Sequence, residues 1–420
     1  MRIANIQLTI GIIMDFIREK IKEKPINKRR LFVKLLVALL CGLVFALTVC
    51  VMLLFLLPKL GEFFASKNSE QIGIIDSQET TESEYNSEGF VIPPDFNLSI
   101  SDYQSLQNEL YRIGNEVNKS IVVVSSGKNW MENSFEMGAQ GSGTIIGSDS
   151  YYLYILTEMK DIIDVENICV TFIDQTIADA KILKQDSNTG LVILTVETRL
   201  LKAKTKNAIA AAKLGSSYTV QNGALVIALG SPLGTSHSIV TGNITSIDHE
   251  ISIPDRNCSV YTTDIAGNEQ SSGVLVNIRG EVIGIVMQMY SGSQRGNTLT
   301  AVPIEELNEV VTLLQNRRDI PYIGIYVSTV TSEISEEYDI PKGVYIKEVV
   351  SDSPAMKAGL QSGDVITHIN GEVVNADDIY SNKLLQLIPG TTCEISLKRQ
   401  NGDDYYKVTC EVTVGIMDYM

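Results

Sequence analysis

The chain has 420 residues, with 34 Lys and Arg against 50 Asp and Glu and a formal net charge of −16. That length admits two globular domains plus further segments. The acidic balance disfavours nucleic acid and anionic lipid as ligands. No phosphate loop, zinc-spaced Cys/His cluster or calcium loop occurs, so no metal and no cofactor is expected.

In chain order, residues 1–34 carry a basic cluster that includes Arg18, Lys20, Lys22, Lys24, Lys28, Arg29, Arg30 and Lys34. Leu35 to Leu57 is then an apolar run without a charge, closed by Pro58-Lys59. Its length predicts a transmembrane helix over 35–57. The basic flank predicts a cytoplasmic N-terminus and an extracytoplasmic body. The long basic approach, and no small-residue cleavage site after the run, favour an uncleaved anchor over a signal peptide. Residues 58–98 scatter Glu70, Asp76, Glu79, Glu82, Glu84 and Glu88 among polar residues and end near Pro93-Pro94. This composition cannot bury a core and predicts a disordered linker.

From 99 the pattern changes. Ile100, Tyr103, Leu106, Leu110 and Ile113 recur at helical spacing, with Ser99 or Ser101 as N-cap. From Ile121 to about Val302 the chain reads as many short strands separated by Gly-rich turns. Examples are Tyr152–Thr157, Leu191–Val196, Ala224–Leu229 and Val282–Val286. Such a pattern predicts a mostly β, antiparallel barrel or sandwich domain over 99–303. A connecting helix is expected from Ile304 to Arg317, within a connecting segment 304–320, with Leu307, Val310, Val311 and Leu314 on one face. Residues 321–420 read as a second domain of mixed α and β character.

Of six cysteines, Cys41 and Cys50 lie in the apolar run, and Cys169 and Cys258 are isolated in predicted strands. Cys393 and Cys410 stand equidistant from the hairpin signal Asn401-Gly402. A two-residue turn there would place them directly opposite on neighbouring strands. They are either a pair of small buried residues or a cross-strand disulfide.

Several segments carry a family resemblance. Gly141-Ser142-Gly143-Thr144, Tyr154-Ile155-Leu156-Thr157, Leu225 to Gly234, Val240 to Ser246 and Glu269-Gln270-Ser271-Ser272-Gly273-Val274-Leu275 follow one another in the order and spacing of a trypsin-like protease. Gly343-Val344-Tyr345-Ile346, Ser353 to Leu360 and Gly363 to Gly371 follow the pattern of a PDZ domain. The assembly resembles the HtrA family over about residues 118–415. The resemblance implies a chymotrypsin-like double β-barrel followed by an α+β PDZ domain. It also implies Tyr322, Ile323, Gly324 and Ile325 as the loop that holds a peptide carboxylate, with a helix from Asp378 to Leu387 beside the groove.

The family's catalytic positions are altered. Ser271 stands at the nucleophile position. Lys160 occupies the histidine position, Gly190 the aspartate position, and Glu269 the place of the glycine that shapes the oxyanion hole. A serine hydroxyl needs a neighbouring base, and the base needs an acid to orient it. Glutamate resists a positive φ and brings negative charge to a site that should stabilise it. The three histidines of the chain, His237, His249 and His368, are not positioned by sequence beside Ser271. The expected function is therefore a membrane-anchored, extracytoplasmic pseudoprotease that binds peptides or unfolded segments through its PDZ domain. The family resemblance implies a homo-oligomer, a trimer. The alternative is an active endopeptidase using a Ser271–Lys160 dyad, which needs a buried lysine with a lowered pKa.

Overall fold

A computed structural model describes residues 99–127, 140–162, 164–291, 297–402 and 404–417. The expected cytoplasmic segment, membrane helix and linker, residues 1–98, lie outside these. Among the described residues no helix is long and apolar enough to cross a membrane.

Helix α1 (Ile100–Val117) begins where expected. The Ser99 side chain accepts from Asp102 N–H, and the Asp102 carboxylate accepts from Ser99 N–H, a reciprocal capping box. The apolar stripe packs only at its C-terminal half. Leu110 is buried, and Gly114 lets the helix approach Ile239, whose Cγ2 would lie 2.8 Å from an added Cβ. Ile100, Tyr103 and Leu106 remain 80%, 67% and 55% exposed.

Six strands then close a first barrel: β1 (Ile121–Ser126), β2 (Gln140–Ser148), β3 (Tyr152–Glu158), β4 (Ile168–Thr171), β5 (Ile177–Gln185) and β6 (Leu191–Glu197), in the order β1-β2-β3-β6-β5-β4. Val122, Val124, Ile145, Ile155, Val192 and Leu194 fill its interior. The short α2 (Ala203–Ala208) follows. A second closed barrel is built from β7 (Leu225–Ser231), β8 (Ser238–Ile253), β9 (Arg256–Ala266), β10 (Ser272–Val276), β11 (Val282–Met287) and β12 (Thr298–Pro303). Closure of both sheets leaves no free edge. The long β8–β9 hairpin extends beyond the barrel, and its turn residue Asp255 has φ +63°.

Helix α3 (Ile304–Gln315) buries Leu307, Val310, Val311 and Leu314, the face expected from sequence. It ends two residues earlier than the predicted Arg317. Arg317 has φ +61°, a left-handed turn that cannot continue a helix.

The last domain is a sheet of β13 (Ile325–Val330), β14 (Gly343–Val349), β15 (Val365–Ile369), β17 (Thr392–Asn401) and β18 (Asp404–Thr413), with β16 (Glu372–Val373) paired to β15. Helices α4 (Ser332–Tyr338), α5 (Pro354–Lys357) and α6 (Asp377–Leu385) accompany it, and β13 forms one edge. The expected pairing of Cys393 with Cys410 is corrected by the β17–β18 register. The ladder continues to Asn401↔Asp404, so Cys393 faces Val412 and Cys410 faces Ile395. Both cysteines are free and buried.

Candidate functional site

Two places could carry function. The first lies where the barrels meet. Lys160 sits in the 3-10 turn after β3, and Ser271 immediately precedes β10. The fold therefore brings together Lys160 and Ser271, the two residues that the family resemblance sets at the histidine and serine positions. Their contact is not that of a base and a nucleophile. Lys160 Nζ donates to the Ser271 main-chain carbonyl at 2.7 Å and lies 2.9 Å from Glu158 Oε1. The Ser271 hydroxyl is fully buried; it donates to Pro232 O at 2.7 Å and accepts from Asn268 N–H at 2.8 Å. Both functions of the hydroxyl are taken by backbone, and no described histidine is among its partners.

The loop that leads into Ser271 is a tight turn. Ser271 N–H donates to Asn268 O at 2.9 Å, which closes a β-turn over residues 268–271. That N–H points into the turn rather than at a substrate oxygen. Glu269 lies exposed in the turn and is not among the residues with positive φ. Gly190, which the resemblance sets at the acid's position, has φ +75°, and its carbonyl accepts from Met159 N–H at 2.8 Å. An added Cβ there would meet only Met289 Sδ, at 3.6 Å. Conformation rather than space thus favours glycine.

Lys160 is held between two buried carboxyls. Desolvation pushes Glu158 up to about 7; Lys160 opposes this and Asp161 adds to it. Desolvation likewise pushes Asp161 up to about 6, against the pull of Lys160. Asp161 lies so close to Gly141 that an added Cβ would fall 1.9 Å from its Cγ. The Lys160 amine is thus directed at the Glu158 carboxylate and the Ser271 carbonyl, not at the hydroxyl that a general base would have to reach.

The second place is the PDZ loop. The N–H groups of Ile323 and Gly324 both donate to Asp255 Oδ2 at 2.8 Å, and Ile325 N–H donates to Oδ1 at 3.1 Å. Tyr380 OH adds a fourth bond, to Oδ1, at 2.8 Å. Gly324 has φ +88°, and an added Cβ would meet Ser353 and Tyr322 atoms at 2.5–2.6 Å. Glycine is needed there for the loop to turn its amides inward. Asp255 N–H donates to Ile325 O at 2.6 Å, and Ser381 Oγ donates to Asp255 O at 3.0 Å. Burial pushes the Asp255 carboxyl up, against the lowering effect of these donors. Beside this hairpin and α6 opens a cavity of about 590 Å³, lined by Glu250, Glu305, Glu306, Glu309, Asp377 and Asp378 with Arg256. It suits neutral or basic ligands better than acidic ones.

Asp255 escaped the sequence reading. Ile253-Pro254-Asp255 does carry a turn signal, but nothing local shows that this turn reaches a loop about seventy residues further on.

Residues 141–285 match the trypsin-like peptidase domain, and residues 321–413 match the PDZ domain. Two curated relatives are named "Probable periplasmic serine endoprotease DegP-like". The one from Pseudomonas fulva is 30% identical over 67% of this chain and 57% of its own length. The one from Halomonas elongata is 31% identical over 67% and 58%. The chain thus spans less than two thirds of the length of these relatives. Among solved structures, the HtrA-type protease AlgW with a decapeptide shares the fold at TM-score 0.51 and 21% identity, over 74% of this chain and 99% of that one. The serine endoprotease from Yersinia pestis does so at TM-score 0.50 and 24% identity, over 74% and 98%. A trypsin-like peptidase domain followed by a PDZ domain, with DegP-like relatives, makes this chain a member of the HtrA-like family.

Proposed function

We propose that this protein is a pseudoprotease: an HtrA-like body that binds peptides or unfolded protein segments through its PDZ domain and does not cleave them. The observation that carries the reading is the Ser271 hydroxyl, saturated by Pro232 O and Asn268 N–H while Lys160 engages the carbonyl instead. Hydrolysis needs a base at the hydroxyl and free donors for the oxyanion; among the described residues no base bonds the hydroxyl, and the Ser271 amide is taken by its turn. The PDZ loop keeps the backbone donors that hold a carboxylate. Tyr322, Ile323, Gly324 and Ile325 are its peptide-binding residues. The AlgW structures with bound peptides are consistent with that role.

The relatives are named periplasmic, which supports an extracytoplasmic body. With the apolar run at 35–57 we propose a single-pass anchor. The exposed Ile100, Tyr103 and Leu106 on α1 supply an apolar face for assembly, in keeping with a homotrimer. Incubation of the full chain with unfolded casein tests the reading. Casein is expected to be retained in complex and recovered intact by mass spectrometry. Fragments absent from a Ser271→Ala control would contradict it.

The second reading is a serine endopeptidase using Ser271 and Lys160. It is favoured by the naming of the relatives as endoproteases and by the 2.7 Å contact of Lys160 with the Ser271 main chain. It requires the amine to leave the carbonyl, lose its proton and reach a hydroxyl freed from Pro232.

A further inference from the structure

A C-terminal peptide residue offers two adjoining groups: a carboxylate and its own N–H. Asp255 offers the same pair from inside the chain. Its side-chain carboxylate takes the amides of Ile323, Gly324 and Ile325 together with Tyr380 OH, and its N–H binds Ile325 O. The imitation continues along the open edge of β13, where Asn257 Nδ2 donates to Val327 O at 3.3 Å. The same nitrogen donates to Asp377 Oδ2, on α6 at the opposite wall of the groove, at 2.8 Å. Asp255 itself is only 4% exposed. Its left-handed backbone, φ +63°, is one that Asp and Asn adopt more readily than other non-glycine residues, which suits Asp255 to the tight hairpin tip that presents its carboxylate to the loop.

We infer that Asp255 is an internal ligand of the PDZ domain, so that the β8–β9 hairpin and a C-terminal peptide compete for one carboxylate site. This rests on the proposed peptide-binding role. A tethered ligand acts at high effective concentration. The apparent affinity for peptide is then the intrinsic affinity reduced by the fraction of molecules with the hairpin withdrawn. Linkage requires the reverse as well: a bound peptide must loosen the hairpin from the PDZ domain.

The test uses the full chain and a fluorescein-labelled pool of decapeptides, randomised over the last four positions, with free or amidated C-termini. Anisotropy should report binding of the free-carboxylate pool about tenfold or more tighter to Asp255→Ala than to the wild type, and no gain for the amidated pool. Asp255→Asn keeps a residue that tolerates the left-handed turn and should also bind more tightly than wild type, which guards against misfolding of the alanine variant. In the wild type, peptide should accelerate hydrogen exchange at residues 255–257. Equal affinity of wild type and both variants would overturn the internal-ligand inference and leave the peptide-binding role standing. Absence of binding by all three proteins would overturn both.

Discussion

The barrel junction and the PDZ loop are both places where backbone amides are arranged to receive an anion, and they have met different ends. At the junction, Lys160, Gly190 and Glu269 stand where the family resemblance sets the histidine, the acid and the oxyanion glycine, and the amide of Ser271 is consumed by its own turn. In the PDZ loop Ile323, Gly324 and Ile325 keep their inward amides, and a carboxylate fills them. On the proposed reading the first site is dismantled, and the second is occupied by an internal carboxylate that a movement of the hairpin would release.

Substitutions can sharpen this contrast. The largest effect is expected at Gly273, which has φ +130° and where an added Cβ would lie 2.0 Å from Leu229 O. Gly273→Ala should destabilise by about 4 kcal/mol or prevent folding, as read by urea denaturation. Lys160→Met should cost about 3 kcal/mol at neutral pH, because it leaves Glu158 and Asp161 buried without their counter-charge. Ser271→Ala should cost about 1–2 kcal/mol by leaving Pro232 O and Asn268 N–H without their partner, with no change in hydrolysis. A serine that matters to stability and not to activity is what a dismantled site predicts.

The junction also predicts a pH dependence. Burial raises Glu158 from 4.5 to about 7 and Asp161 from 3.8 to about 6. Between the unfolded and folded values the folded state binds more protons, so stability falls as pH rises. Stability contributed by these groups is full below about pH 4 and is lost as pH rises through about 6 and 7. Glu158→Gln should flatten most of that slope in denaturation midpoints measured from pH 8 to pH 5. The smallest expected effect is chemical: thiol titration of unreduced, denatured protein should find Cys393 and Cys410 reactive, since both are free.

Much of this was legible in the sequence. The capped start of α1, the buried face of α3 and the succession of short strands all follow from local periodicity and turn chemistry. The residues at 160, 190 and 269 could be read there too, but their roles rest on the family resemblance alone. Three features were not legible, each for a physical reason. The partners of the Ser271 hydroxyl depend on a turn and on Pro232, which lies far away in the chain. The offset of Cys393 from Cys410 depends on where the β17–β18 ladder ends, since moving the turn by one residue changes every pair. The seating of Asp255 depends on how a barrel hairpin meets another domain, which periodicity does not encode. The outer half of α1 is instructive in the other direction. Ile100, Tyr103 and Leu106 have the spacing of a core face and yet stay exposed in the single chain.

The most direct test of the dismantled junction is a fluorophosphonate probe applied to the full chain, with Ser271→Ala as control. The predicted result is no labelling above the control from pH 6 to pH 9. Labelling that Ser271→Ala abolishes would mean that a base reaches the hydroxyl, and would contradict the account.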